Sequence, residues 1–182
     1  MVASVTSVSR LLGAIPLVLS LAACAAAPRT DPHSAVDRTL EPLRGWRVEA
    51  GHVGEFVEVP APGKVTVVDF WSTSCAPCIE AMPELERIWR RVDCRRVAFV
   101  GVSIDTDDSL TRETLEESFP VRVGFPMVYD GKAARLQGAF QVGGTVPSTF
   151  VVDRRGRVRF YFDGSPGDIE RLERAISYLA AE

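Results

Sequence analysis

The chain has 182 residues, of which 46% are hydrophobic and 25% are charged, a composition ordinary for one globular domain. Its formal net charge is −3, and its arginines are scattered along the sequence rather than gathered into one basic patch. Charge and its distribution therefore argue against a protein that binds nucleic acid.

The first 23 residues are typical of an export signal. After the single charge of Arg10 comes a mostly apolar, uncharged run over residues 11–23. A bilayer span needs about 20 residues, whereas the apolar region of a signal peptide has about 7 to 15. The tetrapeptide Leu21-Ala22-Ala23-Cys24 resembles the lipobox of bacterial lipoproteins, which implies cleavage before Cys24 and acylation of its thiol. The alternative is an ordinary cleavage near residues 25–27.

The sequence predicts a lipidated amino terminus and flexible tether over residues 24–45. Residues 25–44 are rich in alanine, proline and polar side chains and show little apolar periodicity. A lipid on Cys24 would hold a domain of residues 46–182 at a membrane surface. We therefore expect an exported protein, lipid-anchored in the bacterial cell envelope, with its domain on the periplasmic or extracytoplasmic side.

Strand-like and helix-like patterns alternate along the rest of the chain. Strands are predicted over 46–59 (one or two short strands), 64–71, 97–104, 125–130, 148–153 and 158–162. Helices are predicted over 76–92, from 105 to about 118, from 132 to about 140, and from near residue 165 to the end. This order predicts an α/β fold with a central mixed sheet flanked by helices, because the last two strands form a hairpin.

Two cysteines, Cys75 and Cys78, stand two residues apart where the strand over 64–71 gives way to a helix. The unpaired N–H groups and the dipole at a helix start stabilise an anion, which favours the thiolate of Cys75 as the attacking group. Cys78 lies one turn further on and is expected to be more buried. From there it would attack Cys75 to release a mixed disulfide.

Asp69 is an acidic residue within the otherwise apolar strand VTVVDFW. A buried carboxylate is costly unless it is paired or protonated. A proton acceptor for the thiol of Cys78 would account for it. The alternative is a residue near the end of the strand that faces solvent.

A metal site is a weaker interpretation of the cysteine pair. Zinc needs four ligands, or three and a water, and the chain has one C-x-x-C and two histidines, His33 and His52. No metal or other cofactor is therefore expected. Cys94 is expected to be a partly exposed loop residue rather than a third redox partner.

The segments DFWSTSCAPCIEAMP (residues 69–83) and GGTVPSTFVVDRRGRV (residues 143–158) resemble the thioredoxin-like family. The resemblance is strongest to its exported TlpA/ResA-type thiol-disulfide oxidoreductases and covers roughly residues 46–182. In this family an acidic residue, a tryptophan and a helix-kinking proline stand at the positions of Asp69, Trp71 and Pro83. Val146-Pro147 fits the place of a cis-proline beside the disulfide, although only about 5–6% of X-Pro bonds are cis.

The resemblance implies a thioredoxin-like fold and a redox-active Cys75–Cys78 disulfide. It assigns catalytic roles to these two cysteines, Asp69 and Pro147. It also implies substrate contacts, by Trp71, Ala76, Pro77 and Val146.

The function implied is a membrane-tethered oxidoreductase that reduces disulfides of exported proteins, such as apocytochromes c and copper-site proteins. Its electrons would come from a membrane-embedded thiol protein. The chain departs from relatives at Ser74, where many have tryptophan, at Asp69, where exported members often have asparagine, and at Ala81, where they often have glutamate. The dipeptide Ala76-Pro77 is neither Gly-Pro nor Pro-His, so the direction of electron flow stays open.

Three other functions fit the sequence less well. Thiol peroxidases have a proline and a threonine where this chain has Val68 and Ser72. Copper-delivery relatives have three residues between their cysteines and a distal histidine, and no histidine follows His52 in the sequence. A scaffold with a structural disulfide is less consistent with the position of Cys75 at a helix start.

Overall fold

The computed structural model describes residues 32–49, 52–106, 117–164 and 167–182. The predicted signal peptide, Cys24 and most of the helix predicted from residue 105 to about 118 lie outside the described residues. In the described part of the chain, no helix has the length and apolar character that a membrane span requires.

Seven strands among the described residues form one mixed sheet. They are β1 (Leu43–Glu49), β2 (His52–Val59), β3 (Val65–Trp71), β4 (Val97–Ser103), β5 (Met127–Tyr129), β6 (Ser148–Val152) and β7 (Val158–Phe162). Their spatial order is β2-β1-β5-β4-β3-β6-β7. The three central strands β5, β4 and β3 run parallel, and the remaining pairs are antiparallel. The predicted α/β class with a mixed sheet is confirmed.

The described helices lie on both faces of this sheet. They are α1 (Ala76–Arg91), α2 (Arg135–Phe140) and α3 (Asp168–Ala181), with short 3-10 turns at Pro32–Ala35 and Gly131–Ala133. α1 and α3 bury their apolar sides against one face, and α2 packs against the other. The predicted helix over 132–140 is therefore divided into a 3-10 turn and the short helix α2.

Strand β3 determines which residues meet below α1. All seven of its residues are buried, because β4 and β6 cover its edges and helices cover its faces. Side chains alternate along a strand, so Val67 and Trp71 enter the core on the side of α1 and α3, while Val68 and Phe70 enter the opposite one. Asp69, between Val67 and Trp71 in this alternation, shares their face and so lies below α1.

The stretch predicted to be a tether is partly folded onto the domain. We call residues 32–42 the N-terminal segment. The N–H groups of Asp37 and Leu40 donate to the carbonyls of Val158 (2.8 Å) and Gly156 (2.8 Å) along β7 and its preceding turn. Ala35 and Leu40 are buried in the core on the α2 side. The folded unit thus extends to at least residue 32, which corrects the predicted boundary at residue 46.

Candidate active site

The two cysteines of the C-x-x-C motif lie at the start of α1 and form a disulfide with an S–S distance of 2.00 Å. Cys75 is the N-cap, with its N–H donating to the carbonyl of Ser72 at 3.1 Å. The N–H of Cys78 donates to the Cys75 sulfur at 3.2 Å. The exposed fraction is 9% for Cys75 and 1% for Cys78. The cysteine at the helix start is therefore the one that a partner can reach first.

The turn that presents Cys75 is held by Asp105, just beyond the end of β4. The N–H and hydroxyl of Thr73 both donate to the Asp105 carboxylate, at 3.0 Å each for the shortest contacts. The hydroxyl of Ser103 donates to the same carboxylate at 2.8 Å. The sequence predicts only that a helix begins at Asp105. The role found here depends on β3 and β4 being parallel neighbours, whose carboxyl ends meet at one edge of the sheet.

Asp69 lies in the sheet directly below this turn. It is 4% exposed, and the hydroxyl of Thr149 donates to its Oδ1 at 2.7 Å. Asp69 and Thr149 are direct cross-strand partners of β3 and β6, which explains the contact. Burial raises the pKa of Asp69 from 3.8 to about 7, against the opposing effect of the Thr149 hydrogen bond. A carboxyl group with this pKa can accept and return a proton near neutral pH.

A cavity of about 70 Å³ connects Asp69 with the disulfide. Its wall includes Asp69, Cys78, Pro147 and Thr149, so two buried residues, Cys78 of the disulfide and the acid Asp69, line one space. The wall also includes Asp168, from the first turn of α3. The sequence indicated Asp168 only as part of a helix start, because its neighbours across the fold are not evident from local pattern.

The second sequence motif, which contains Pro147, lies beside the same cavity. The Val146–Pro147 peptide bond is cis, as the resemblance implies. Val146 and Pro147 are half-buried, and Pro147 lines the cavity beside Cys78. Gly164, after β7, packs directly against the Pro147 ring. A second cis bond, Val59–Pro60, was not anticipated from the sequence.

The other predicted site residues separate into exposed and buried ones. Ala76 and Pro77 are exposed in the first turn of α1, where a docked substrate would meet them. Trp71 is fully buried, and the centroid of its ring lies 4.8 Å from that of Phe119. This corrects the expectation that Trp71 contacts substrate, because a wholly buried side chain offers no surface to a docked protein. Cys94 is an exposed free cysteine in the loop before β4.

Comparison with known proteins places these motifs within one family. The family model described as AhpC/TSA matches residues 47–161. The thiol-disulfide oxidoreductase ResA of Geobacillus kaustophilus is 31% identical over 111 residues, which is 60% of this chain and 61% of the relative. The sporulation thiol-disulfide oxidoreductase A of Bacillus subtilis is 23% identical over 106 residues, 58% of this chain and 62% of the relative.

A solved structure shows the same architecture. StoA from Bacillus subtilis superposes with a TM-score of 0.58 at 21% identity, covering 77% of this chain and 97% of that structure. The predicted thioredoxin-like fold is thus confirmed. The chain spans about three fifths of the length of the two curated relatives it matches.

Proposed function

Because the chain belongs to the AhpC/TSA family, we propose that it is a thiol-disulfide oxidoreductase whose redox-active centre is the Cys75–Cys78 pair. The observation that carries this proposal is the shared cavity of Cys78 and Asp69. A disulfide with a purely structural role does not require a buried acid beside its inner cysteine, whereas a resolving thiol needs a proton acceptor there. The names of the relatives support the same class of activity.

In the reducing direction the reaction has two displacements. The Cys75 thiolate attacks one sulfur of a substrate disulfide, which breaks that bond, releases one substrate thiolate and forms a mixed disulfide. Asp69 then takes the proton of the Cys78 thiol, and the resulting thiolate attacks the Cys75 sulfur. The second substrate thiolate leaves as the Cys75–Cys78 bond forms, so two electrons pass from the pair to the substrate.

Substrate docks, in this proposal, on the surface around Cys75. Ala76 and Pro77 are exposed on one side of the sulfur, and Val146 and Pro147 are partly exposed. These small and apolar side chains suit an extended peptide segment that carries a cysteine. Trp71 has no part in this surface because it is fully buried.

The cellular setting is also part of the proposal. We infer that acylated Cys24 anchors the chain to a membrane and that the domain works on the extracytoplasmic side. Its substrates are exported proteins with disulfides, apocytochromes c and copper-site proteins among them, and a membrane-embedded thiol protein supplies the electrons. The sequence motifs at residues 21–24 and 69–83 support this assignment.

The equilibrium reduction potential of the Cys75–Cys78 pair tests the activity. The full chain, purified in detergent, is equilibrated with glutathione or dithiothreitol redox buffers, with Cys94→Ser as a control that should not change the potential. A reversible couple near that of thioredoxin, about −270 mV, indicates a reductant, and one near about −120 mV indicates a disulfide donor. Absence of a reversible couple would overturn the proposal in favour of a structural disulfide. Rapid turnover of hydrogen peroxide would instead favour a thiol peroxidase.

A further inference from the structure

A second buried carboxylate lies in the wall of the cavity below the disulfide. Asp168 begins α3, is 5% exposed, and lines the same cavity as Asp69 and Cys78. Burying a carboxylate is costly unless it is paired. Arg171, one turn later, donates from Nη1 to Oδ1 of Asp168 at 2.6 Å. This charge-assisted bond offsets the cost of burial.

The ion pair reaches from the cavity to the surface. The Arg171 side chain is 61% exposed, while its carboxylate partner is almost wholly enclosed. The guanidinium also lies over the ring of Phe162, 5.4 Å from the centroid, and Phe162 is itself part of the cavity wall. Asp168 is thus fixed between the interior space and the solvent.

The proposed reaction requires a path for protons between Asp69 and the solvent. Asp69 receives a proton each time Cys78 becomes a nucleophile. A chain whose Asp69 is already protonated must therefore lose that proton to the solvent before Cys78 can react. Asp69 is too buried to exchange directly with solvent. One water needs about 10–15 Å³ of such space, so a cavity of about 70 Å³ has room for several. Asp69, Thr149 and Asp168 supply the polar partners that such waters require.

We propose that Asp168 relays protons, through water in this cavity, between Asp69 and the solvent. The inference rests on the proposed thiol-disulfide activity. In each cycle one proton moves from the Cys78 thiol to Asp69, then through water and Asp168 to the solvent, and Asp168 ends as it began. No electron passes through Asp168.

The groups that could influence this transfer are few among the described residues of the cavity wall. Its titratable side chains are Asp69 from β3, Cys78 from α1 and Asp168 from α3. β6 and β7 contribute the neutral side chains of Thr149 and Phe162. Arg171 is the cation bonded to Asp168, and the pH dependence of the transfer is assigned to these groups.

The test separates the two cysteine steps. A reduced full chain with Cys24→Ser and Cys94→Ser reacts with the chromogenic disulfide dithiobis(nitrobenzoate). Attack by Cys75 releases one thionitrobenzoate, and attack by Cys78 on the mixed disulfide releases the second. Asp168→Asn removes the carboxylate and keeps its shape. Glu170→Gln is the matched control, because Glu170 is an exposed acid in the same helical turn that pairs with Arg174 at 3.9 Å.

We expect Asp168→Asn to slow the second release about tenfold near neutral pH, with the first release unchanged and an altered pH profile of the second. Added acetate should restore part of the rate, and Asp168→Glu should keep most of it. Glu170→Gln should behave as the parent. An unchanged second release in Asp168→Asn at every pH overturns the inference, as does equal slowing of both releases together with lost thermal stability. If the parent itself shows no second release, it is the proposed oxidoreductase function that fails.

Discussion

At the scale of single residues, Asp69 links the stability of the protein to its chemistry. Burial raises the pKa of Asp69 from 3.8 to about 7. Between these pH values the folded chain holds a proton that the unfolded chain has lost, so stability should fall as pH rises from about 4 to about 7. Above that range the contribution of Asp69 is constant. The position that favours a proton acceptor near neutral pH therefore weakens the fold at the same pH.

Asp69→Asn should remove this pH dependence. We expect the oxidised wild-type chain to lose roughly 2–3 kcal/mol of unfolding free energy between about pH 5 and about pH 8 relative to the variant. Guanidinium denaturation of both proteins at the two pH values measures the difference. Equal slopes of stability against pH in the two proteins would contradict the raised pKa of Asp69.

Sequence alone identified some site residues and not others, for a physical reason. Cys75, Cys78 and Asp69 are visible because each is chemically unusual in its local pattern: two thiols at a helix start and an acid in an apolar strand. Thr149 and Asp168 are ordinary residues for a strand and a helix start. Their importance comes from the pairing of β6 with β3 and from the packing of α3 over the cavity, which no local pattern encodes.

At the scale of elements, the strands were easier to predict than the segments that cover them. Long runs of β-branched and apolar residues mark β3, which is wholly buried, and β4, in which every residue except Ala98 is buried. The N-terminal segment has no such run. It is held by backbone hydrogen bonds to Val158 and Gly156 and by the isolated buried side chains of Ala35 and Leu40, so its composition resembles that of a linker.

Leu40→Ala tests whether this segment is part of the fold. Leu40 is buried in the core on the α2 side, so its truncation should cost about 2–3 kcal/mol of unfolding free energy. Thr39→Ala is the control, because Thr39 is exposed and should change stability by less than about 0.5 kcal/mol. Chemical denaturation of the two variants gives the comparison. A Leu40→Ala variant as stable as the control is the outcome expected of a free tether.

The loop after β7 supports the active site through Gly164. Gly164 has φ of +79°, and a Cβ there would collide with Cγ of Pro147. Gly63 has φ of +71°, and a Cβ added there would meet no heavy atom of the described residues within 4 Å. Alanine at either position should lower the unfolding free energy by about 1–2 kcal/mol through backbone strain. Of these two glycines, only Gly164 would give such a collision. Comparing the two alanine variants therefore separates the effect of backbone strain from the effect of displacing Pro147.

Gly164→Ala should therefore slow thiol-disulfide exchange between about ten- and a hundredfold, because it moves Pro147 beside the reacting sulfurs. Gly63→Ala should lose stability and keep its exchange rate. The rate of reduction of a small disulfide, measured where both variants are fully folded, distinguishes them. Equal rates in the two variants would show that the Pro147 loop tolerates the displacement.

At the scale of the whole molecule, the chain order explains where the reactive groups converge. β3 lies in the interior of the sheet, with β4 on one side and β6 on the other. Cys75 follows β3, Asp105 follows β4, and Pro147 precedes β6, so all three come to the same edge. This convergence follows from alternating strands and helices with a closing hairpin, which is why the sequence pattern sufficed to predict the fold class. The boundary of the domain depended instead on a few contacts of residues 32–42.

The corrected boundary also limits how far from the membrane the domain could lie if Cys24 carried a lipid. Seven residues, 25–31, separate Cys24 from the N-terminal segment, and seven residues reach at most about 25 Å. An acylated Cys24 would therefore hold the β7 side of the domain close to the membrane. A tether extending to residue 45 would have allowed a much longer reach.

Cys24→Ser should release the protein from the membrane, since the proposed anchor is the acyl chain and not an apolar span. After cell lysis, the wild-type chain is expected in the membrane fraction and soluble only in detergent, with a mass increased by the lipid. Cys94→Ser removes the exposed free cysteine of the folded domain and should leave the protein in the membrane fraction. If Cys24→Ser and the wild type distribute alike and share one unmodified mass, the lipid anchor is wrong, and the domain reaches its substrates without one.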